Sequence, residues 1–428
     1  VSGSLASTFR SLRGFNYRMY ASGALVSNVG TWMQRITQDW IVLTQLTNHN
    51  ATAVGVVMAL QFGPQAVLLP LTGYAADHLD RRKLMIATQS TLGVLALILG
   101  ILCVTGLVQL WQVYLLALLQ GCATAFDAPA RQTFVSALVG EADLSNAVAL
   151  NSTSFNAARM IGPAVAGVLI AAVGSGWVFL INAATFAAVI LSLCLLRVHE
   201  LHVHDREPPA SGRLLEGFRY VWNRPDLKVV LFMLFLIGTL GFNFPIFIST
   251  MAVSAFHVGA RQYGALNSMM AIGSITGALM AARRARPRMG VVLAASAVFG
   301  CGFALAAVAP TYWTFGCALL LIGVCSQSFT TSAISMLQLT TTPGMRGRVL
   351  AIGLAVSLGS LPLGSPIVGR VADVFGPRWA LVLGAASGFA AAIAGAHYLV
   401  KYRHLRVRIE HGRLRFSLRS ISATLTHR

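Results

Sequence analysis

Apolar runs of roughly twenty residues recur along this chain, and few folds can accommodate them. A bilayer-spanning helix needs ~20 mostly apolar residues. Reading the runs against turn signals predicts spans near 17–45, 54–75, 84–105, 109–127, 147–173, 177–197, 227–254, 262–282, 289–309, 312–334, 349–372 and 379–399. Inside hydrocarbon each backbone polar group must be satisfied by its own helix or by a closed barrel. Runs of this length therefore predict an all-α integral membrane protein of twelve transmembrane helices. The composition agrees, at 56% hydrophobic and 11% charged residues with a mean hydropathy of +0.70. That lies well outside the usual range of a soluble domain.

The formal net charge of +19 would suggest a nucleic-acid partner in a soluble protein. Its placement decides otherwise, and no nucleic acid is expected. One set of loops carries Arg10, Arg13, Arg18, Arg81, Arg82, Lys83, Arg131, the central linker, Arg283 to Arg288, Arg346, Arg348 and a basic tail. The opposite loops carry only Arg261, Arg370 and Arg378. Basic residues in short loops stay on the cytoplasmic side, so both termini are expected there, with membrane lipid as the surrounding partner. Residues 1–16 lack the apolar core and cleavage site of a signal peptide. Leu5, Phe9 and Leu12 with Arg10 and Arg13 suit a short helix on the inner leaflet.

The six cysteines (Cys103, Cys122, Cys194, Cys301, Cys317, Cys325) fall in apolar spans without a Cys-x-x-Cys pair, which fits buried thiols. His199, His202 and His204 cluster in the linker, yet a metal site needs further ligands on a fixed scaffold, so a solvated cluster is expected. No metal, cofactor or catalytic residue is expected. The tail from Leu405 alternates apolar and basic residues with a break at Gly412. That pattern is compatible with a small hairpin or a basic strip on anionic lipid, and a topogenic tail is the expectation.

The longest polar interruption, residues 198–226, splits the spans six and six, and the two halves repeat. At a constant offset of 202 residues, Trp111 matches Trp313, Gly121 matches Gly323 and Gly162 matches Gly364. Gly167 with Gly369, Gly174 with Gly376 and Trp177 with Trp379 continue the register. The expected organisation is an N-terminal arm (1–16), a six-helix bundle (17–197), a linker (198–226), a second six-helix bundle (227–399) and a basic tail (400–428). Parallel repeats of six spans joined by a linker describe the halves of major facilitator transporters.

The stretch Gly73-Tyr-Ala-Ala-Asp77-His-Leu-Asp80-Arg81-Arg82-Lys83 resembles the signature between helices two and three of that superfamily. Gly73 allows a close helix approach, and Asp77 at a helix end suits the positive end of a neighbouring helix. The resemblance implies that this neighbour is helix eleven, closing the cytoplasmic gate, and that Arg81 pairs with Asp127 at the end of helix four. A weaker copy around Gly277 lacks the aspartates. On helix five, Gly162-Pro163 and Gly167 resemble the motif of drug antiporters, with the proline bending the helix and the glycines serving the contact between halves. The fit is partial, since the usual closing glycine pair reads Ala166-Gly167.

Ionisable residues within spans are costly, at ~2.5–3.5 kcal/mol on insertion scales, and call for a function or a partner. Asn28, Thr31, Arg35 and Asp39 follow each other by three and four residues and share one face of helix one, while Arg159 lies midway along helix five. The superfamily resemblance places helix one on the central cavity, with helix five beside it. Arg35 and Arg159 there suit an anionic or polar cargo, and Asp39 is the leading proton carrier, with a structural Arg35–Asp39 pair as the alternative. Gln120, Asn243 with Pro245, and Gln327 are further cavity candidates, and Asn182 fits either the cavity or helix–helix contact.

The stretches TWMQRITQDWIVLTQLT, AFDAPARQTFVSALVG and NAVALNSTSFNAARMIGPAVAGVLI resemble the enterobactin-exporter-like branch of the major facilitator superfamily, as does the segment from Arg346 to Leu381. That resemblance implies two pseudo-symmetric bundles, alternating access and export of a siderophore, drug or related small molecule from a bacterial inner membrane, by a monomer. No lysine lies in a phosphate-binding loop, so protons are the simplest coupling partner. Uptake of a small polar or anionic solute, or a transport-inactive membrane sensor, are the rival expectations; neither His-Glu-x-x-His nor Gly-x-Ser-x-Gly occurs to suggest an enzyme.

Overall fold

A computed structural model describes residues 9–202, 214–283, 289–403, 406–410 and 413–417 of the chain. Twelve helical spans organise it. In the first half, α1 is Phe15–Ile41, and α2 consists of Ala51–Val67 and Leu69–His78. They are followed by α3 Arg81–Val104, α4 Leu110–Leu138, α5 Glu141–Val173 and α6 Ser175–Cys194. The second half comprises α7 Pro225–Ala255, α8 Ala260–Ala282, α9 Met289–Ala307, α10 Tyr312–Thr340, α11 Arg346–Phe375 and α12 Pro377–Arg403. Ten of the helices are long and apolar enough to cross a membrane by length and composition. The other two have local causes: α1 carries a polar face along its 27 residues, and α2 is interrupted at Leu68, one residue before the turn that contains Pro70.

Helix starts follow capping chemistry. Asn50 accepts from the Ala53 N–H at 2.9 Å, Asp80 from the Lys83 N–H at 3.1 Å, and Thr311 from the Thr314 N–H at 3.3 Å. Two helices outrun their apolar stretches. The fourth run ends near Asp127, yet α4 continues to Leu138 and α5 already begins at Glu141. Phe134, Val135 and Leu138 are buried there with Tyr17, Tyr20 and Met85, forming a second core beyond the main one. Arg131 thus belongs to a helix and not to a loop.

The halves pack alike. In the first, α1 packs on α5 and α6, α2 on α4, and α3 on α4 and α6. In the second, α7 packs on α11 and α12, α8 on α10, and α9 on α10 and α12. This is a pseudo-twofold arrangement, and the repeated glycines explain it. A side chain at Gly121 would meet the carbonyls of Leu60 and Gln61 on α2, and one at Gly323 would meet Met270 O on α8. Gly162 lies against Trp32 and Val29 of α1, and Gly364 against Thr239 of α7. Gly174 and Gly376 have φ of 89° and 98°, a region that other residues rarely adopt. Each is the sole residue between two helices.

The two bundles meet along α2–α11 and α5–α8, contacts exchanged by the same pseudo-symmetry. Gly167 lies against Ala260 and Arg261, Gly264 against Pro163 and Gly167, Gly55 against Ser365, and Gly369 against Ala51 and Thr52. All these approaches fall toward the membrane face opposite the chain termini, so the seam is sealed at that far end. Gly162 therefore serves contact within its own bundle, which corrects the expectation of a contact between halves; Gly167 makes the cross-bundle approach. The repeated tryptophans Trp111, Trp177, Trp313 and Trp379 stand near the starts of α4, α6, α10 and α12, each more than half exposed. They form a belt at the far membrane interface, where indole rings prefer to lie.

At the terminus-bearing end, the turn Arg10–Arg13 docks on α5 instead of lying free on lipid. Arg10 pairs with Asp143 at 2.6 Å, and the Ser11 hydroxyl donates to Asn146 at 2.7 Å; Leu5 lies outside the described residues. The linker contains a helix, Leu214–Trp222, tied to α11 by Arg348–Glu216 at 2.8 Å. Beyond α12 the chain forms a two-stranded antiparallel hairpin, β1 Arg406–Glu410 and β2 Arg413–Ser417, with Arg408 opposite Arg415. The tail thus holds regular structure where a merely topogenic segment was expected. Arg284 to Arg288 and His204 lie outside the described residues. His199 sits 3.7 Å from Glu200, and no group of metal-ligating side chains occurs among the described residues.

Candidate functional site

The polar face of α1 faces the interior of the seam and borders two neighbouring cavities. The deeper one, of about 170 Å³, is lined from both bundles by Trp32, Arg35, Asp39, Gln61, Arg159, Pro163 and, opposite, Phe242, Phe244, Pro245, Asn267, Met270 and Leu361. The larger, of about 700 Å³, lies toward the termini and is walled by the first bundle through Asn28, Thr31, Arg35, Gln120, Asp127, Arg131, Asn151 and Asn156. Arg35 and Phe62 border both. The three- and four-residue steps of α1 thus place Asn28, Thr31, Arg35 and Asp39 along one continuous wall.

The two guanidinium groups of the deeper cavity lie against aromatic rings. The Arg35 guanidinium lies 5.1 Å from the centre of the Trp32 ring and 5.4 Å from that of Phe62. Arg159 lies 5.5 Å from the Trp32 ring, which itself meets Phe155 edge-on at 5.9 Å. Partly buried cation–π contacts of this kind contribute about 1 kcal/mol each. They orient a guanidinium without neutralising it. The buried Arg35 Nε has no hydrogen-bond partner, and no ion pair joins Arg35 to Asp39 among the described residues. Two cations and one carboxylate therefore share the pocket, and an acidic ligand group would satisfy donors that the protein leaves open.

Asp127 is 5% exposed and anchors a buried polar cluster. Its carboxylate accepts from Thr88 at 2.8 Å, Gln89 at 2.7 Å and Arg131 at 3.2 and 3.0 Å. Arg131 also donates to Asn28 at 2.9 Å, so α1, α3 and α4 are joined through the Asp127–Arg131 pair. The partner of Asp127 is thus Arg131, one turn along the same helix, and not Arg81. The reason is geometric: a guanidinium four residues away shares the helix face, whereas Arg81 opens α3 at its terminus-side end. Arg82 proves to be more than a topological anchor, since it donates to the last carbonyls of α6, Leu193 at 2.7 Å and Cys194 at 3.1 Å. Gly73 and Asp77 lie in the second segment of α2, and the side chain of Asp77 lies outside the described residues.

Two cavity candidates lie elsewhere. Asn243 is fully buried, donating to Thr239 O at 2.7 Å and accepting from the Ser365 hydroxyl at 2.8 Å. It joins α7 to α11. Gln327 bonds Thr331 one turn on, at 3.3 Å, and lines neither cavity. Asn182 is helix contact: it donates to Gln34 at 2.5 Å and accepts from Thr185 at 2.9 Å, beside the notch left by Gly30. Sequence reading overlooked Trp32, which holds both arginines. Its spacing of three from Arg35 was the available signal.

Two pseudo-symmetric six-helix bundles around a charged pocket at their seam define a membrane transporter of the major facilitator class. Within that class the chain belongs to the transmembrane secretion effector family, whose profile matches residues 6–427, and to its siderophore-exporter-like branch. It is 27% identical over 369 residues to the staphyloferrin A transporter of Staphylococcus aureus, spanning 84% of this chain and 90% of the relative. It is 27% identical over 375 residues to the enterobactin exporter EntS of Escherichia coli K12, spanning 85% and 88%. Among solved structures, a bacterial homolog of the human lysosomal transporter Spinster matches with a TM-score of 0.65 at 16% identity, covering 93% of this chain and 97% of that one. The nucleoside transporter NupG matches with a TM-score of 0.69 at 15% identity, covering 90% and 99%. These two establish likeness of fold.

Proposed function

We propose that this transporter exports an anionic or polar small molecule of the siderophore kind across a bacterial inner membrane, as a monomer with both termini in the cytoplasm. The observation that carries the reading is the deep pocket. Arg35 and Arg159 flank Trp32 there, without carboxylate partners at hydrogen-bond distance among the described residues. The names of the relatives support a siderophore cargo, and the concentration of Lys and Arg at the terminus-bearing end supports the orientation.

The energetics favour export of an anion. A negative charge leaving a cell with a negative interior gains ~2.3 kcal/mol per 100 mV, and each proton returning gains as much again. Asp39 is the proposed proton carrier, being the carboxylate of the deep pocket. Asp77 and Arg81 are the proposed cytoplasmic gate, with Gly73 permitting the approach and Asp127 bracing α4 behind them.

The test is efflux from proteoliposomes under separately imposed pH gradients and potentials. Asp39→Asn is expected to abolish the response to the pH gradient while retaining the response to potential, with the protein still abundant. An unaltered pH response would remove Asp39 from the role. Arg35→Gln is expected to weaken binding of an anionic cargo about tenfold or more. In cells, deletion of the chain raises retained cargo if it exports, and lowers it if it imports.

A further inference from the structure

The far end of the seam is held by more than backbone packing. Asp373, in the last turn of α11, accepts hydrogen bonds from the Ala51 N–H at 2.6 Å, the Thr52 N–H at 2.9 Å and the Thr52 hydroxyl at 2.5 Å. Ala51 and Thr52 open α2. A carboxylate of the second bundle thus caps a helix of the first, where unsatisfied N–H groups and the positive end of the helix dipole favour negative charge. The ion pairs Asp127–Arg131, Arg224–Asp226 and Arg348–Glu216 each stay within one half of the chain or its linker.

The pseudo-symmetric seam lacks this device. Residue 373 corresponds to Ala171 on α5, an apolar side chain. There the start of α8 is met by the backbone around Gly167. The far seal is therefore clasped by a carboxylate on the α2–α11 side, whereas the α5–α8 side is packed and carries one neutral hydrogen bond deeper in, from the Ser268 hydroxyl to Met160 O at 2.7 Å.

We infer that Asp373 is a gating residue, an outer clasp that stabilises the state closed at the far end and must release α2 before that end opens. The helix pair it joins is the pair whose opposite end carries Asp77, so each end of α2–α11 has an acid suited to a helix terminus. With rigid bundles, closing one end parts the other, and only one clasp can be made at a time. This inference rests on the proposed alternating access and membrane orientation, and is independent of cargo or coupling ion.

The experiment uses the full-length protein in right-side-out membrane vesicles, with Met58→Cys as reporter, because Met58 lines the deep pocket and is 2% exposed. A membrane-impermeant maleimide is added from outside, and the labelling of the parent cysteines is subtracted. Losing charge-assisted bonds at the clasp shifts the closed-to-open ratio by about tenfold, so Asp373→Asn is expected to raise the labelling rate about tenfold. Thr52→Val, which removes one donor and keeps the charge, is expected to raise it about threefold. Arg370→Gln, one turn away and outside the clasp, should label at the parental rate. Parental labelling in both Asp373→Asn and Thr52→Val would overturn the clasp, as would an equal rise in Arg370→Gln. Efflux absent from the unsubstituted protein while labelling follows this order would refute the export reading and leave the clasp standing.

Discussion

Replacing Asp127 by alanine tests how the first bundle is held together. The carboxylate is 5% exposed and accepts four hydrogen bonds, two of them from Arg131, whose side chain is only 20% exposed. Alanine leaves a buried guanidinium without its counter-charge and strands the donors of Thr88 and Gln89. Breaking a buried pair from one side costs about 3–5 kcal/mol. For a cooperative unit the size of one bundle, 1 kcal/mol moves the melting temperature by ~2–4 °C, so the expected loss is about 10 °C. The assay is thermal unfolding in detergent, followed by loss of helical circular dichroism. A double-mutant cycle identifies the partner: Asp127→Ala with Arg131→Gln should show coupling of about 2 kcal/mol, and Asp127→Ala with Arg81→Gln should be additive within ~0.5 kcal/mol. A melting point unchanged by Asp127→Ala, or coupling to Arg81 in place of Arg131, would refute the reasoning.

Gly174→Ala and Gly376→Ala place a Cβ at φ of 89° and 98°, and each should lower stability by about 1 kcal/mol or more in the same unfolding assay, with additive effects because the sites lie in different bundles. Gly121→Val and Gly323→Val would drive side chains into facing backbone carbonyls; overpacking of this kind costs about 1–3 kcal/mol, and the two variants should lose similar amounts because they occupy equivalent places.

The fold was legible in the sequence because its determinants are local or periodic. Apolar run length set the spans, and the glycines at a fixed offset marked equivalent helix approaches in the two halves. The wall formed by Asn28, Thr31, Arg35 and Asp39 was legible for the same reason, since helical periodicity alone places them together. Partners were harder. Asp127 chose Arg131 over the motif arginine because helix α4 continued where the apolar run stopped. Asn243 advertises polarity, but nothing in its neighbourhood along the chain names Ser365 as its partner. The clasp is the extreme case: Asp373 and Thr52 are 321 residues apart, and an acid near a loop carries little topological information. One miss was avoidable. Gly162 and Gly167 lie five residues apart, about 140° around a helix of 3.6 residues per turn, and so cannot both face the same neighbour.

The one-residue elbows at Gly174 and Gly376 restrict what can move. With a lone glycine between them, α5 and α6 cannot shift past one another at the far face, and the same holds for α11 and α12. The smallest travelling piece on that side is a helical hairpin, whose two helices move together. A departing molecule would therefore meet the parted ends of stiff paired rods at these corners, with no tethered flap to push aside.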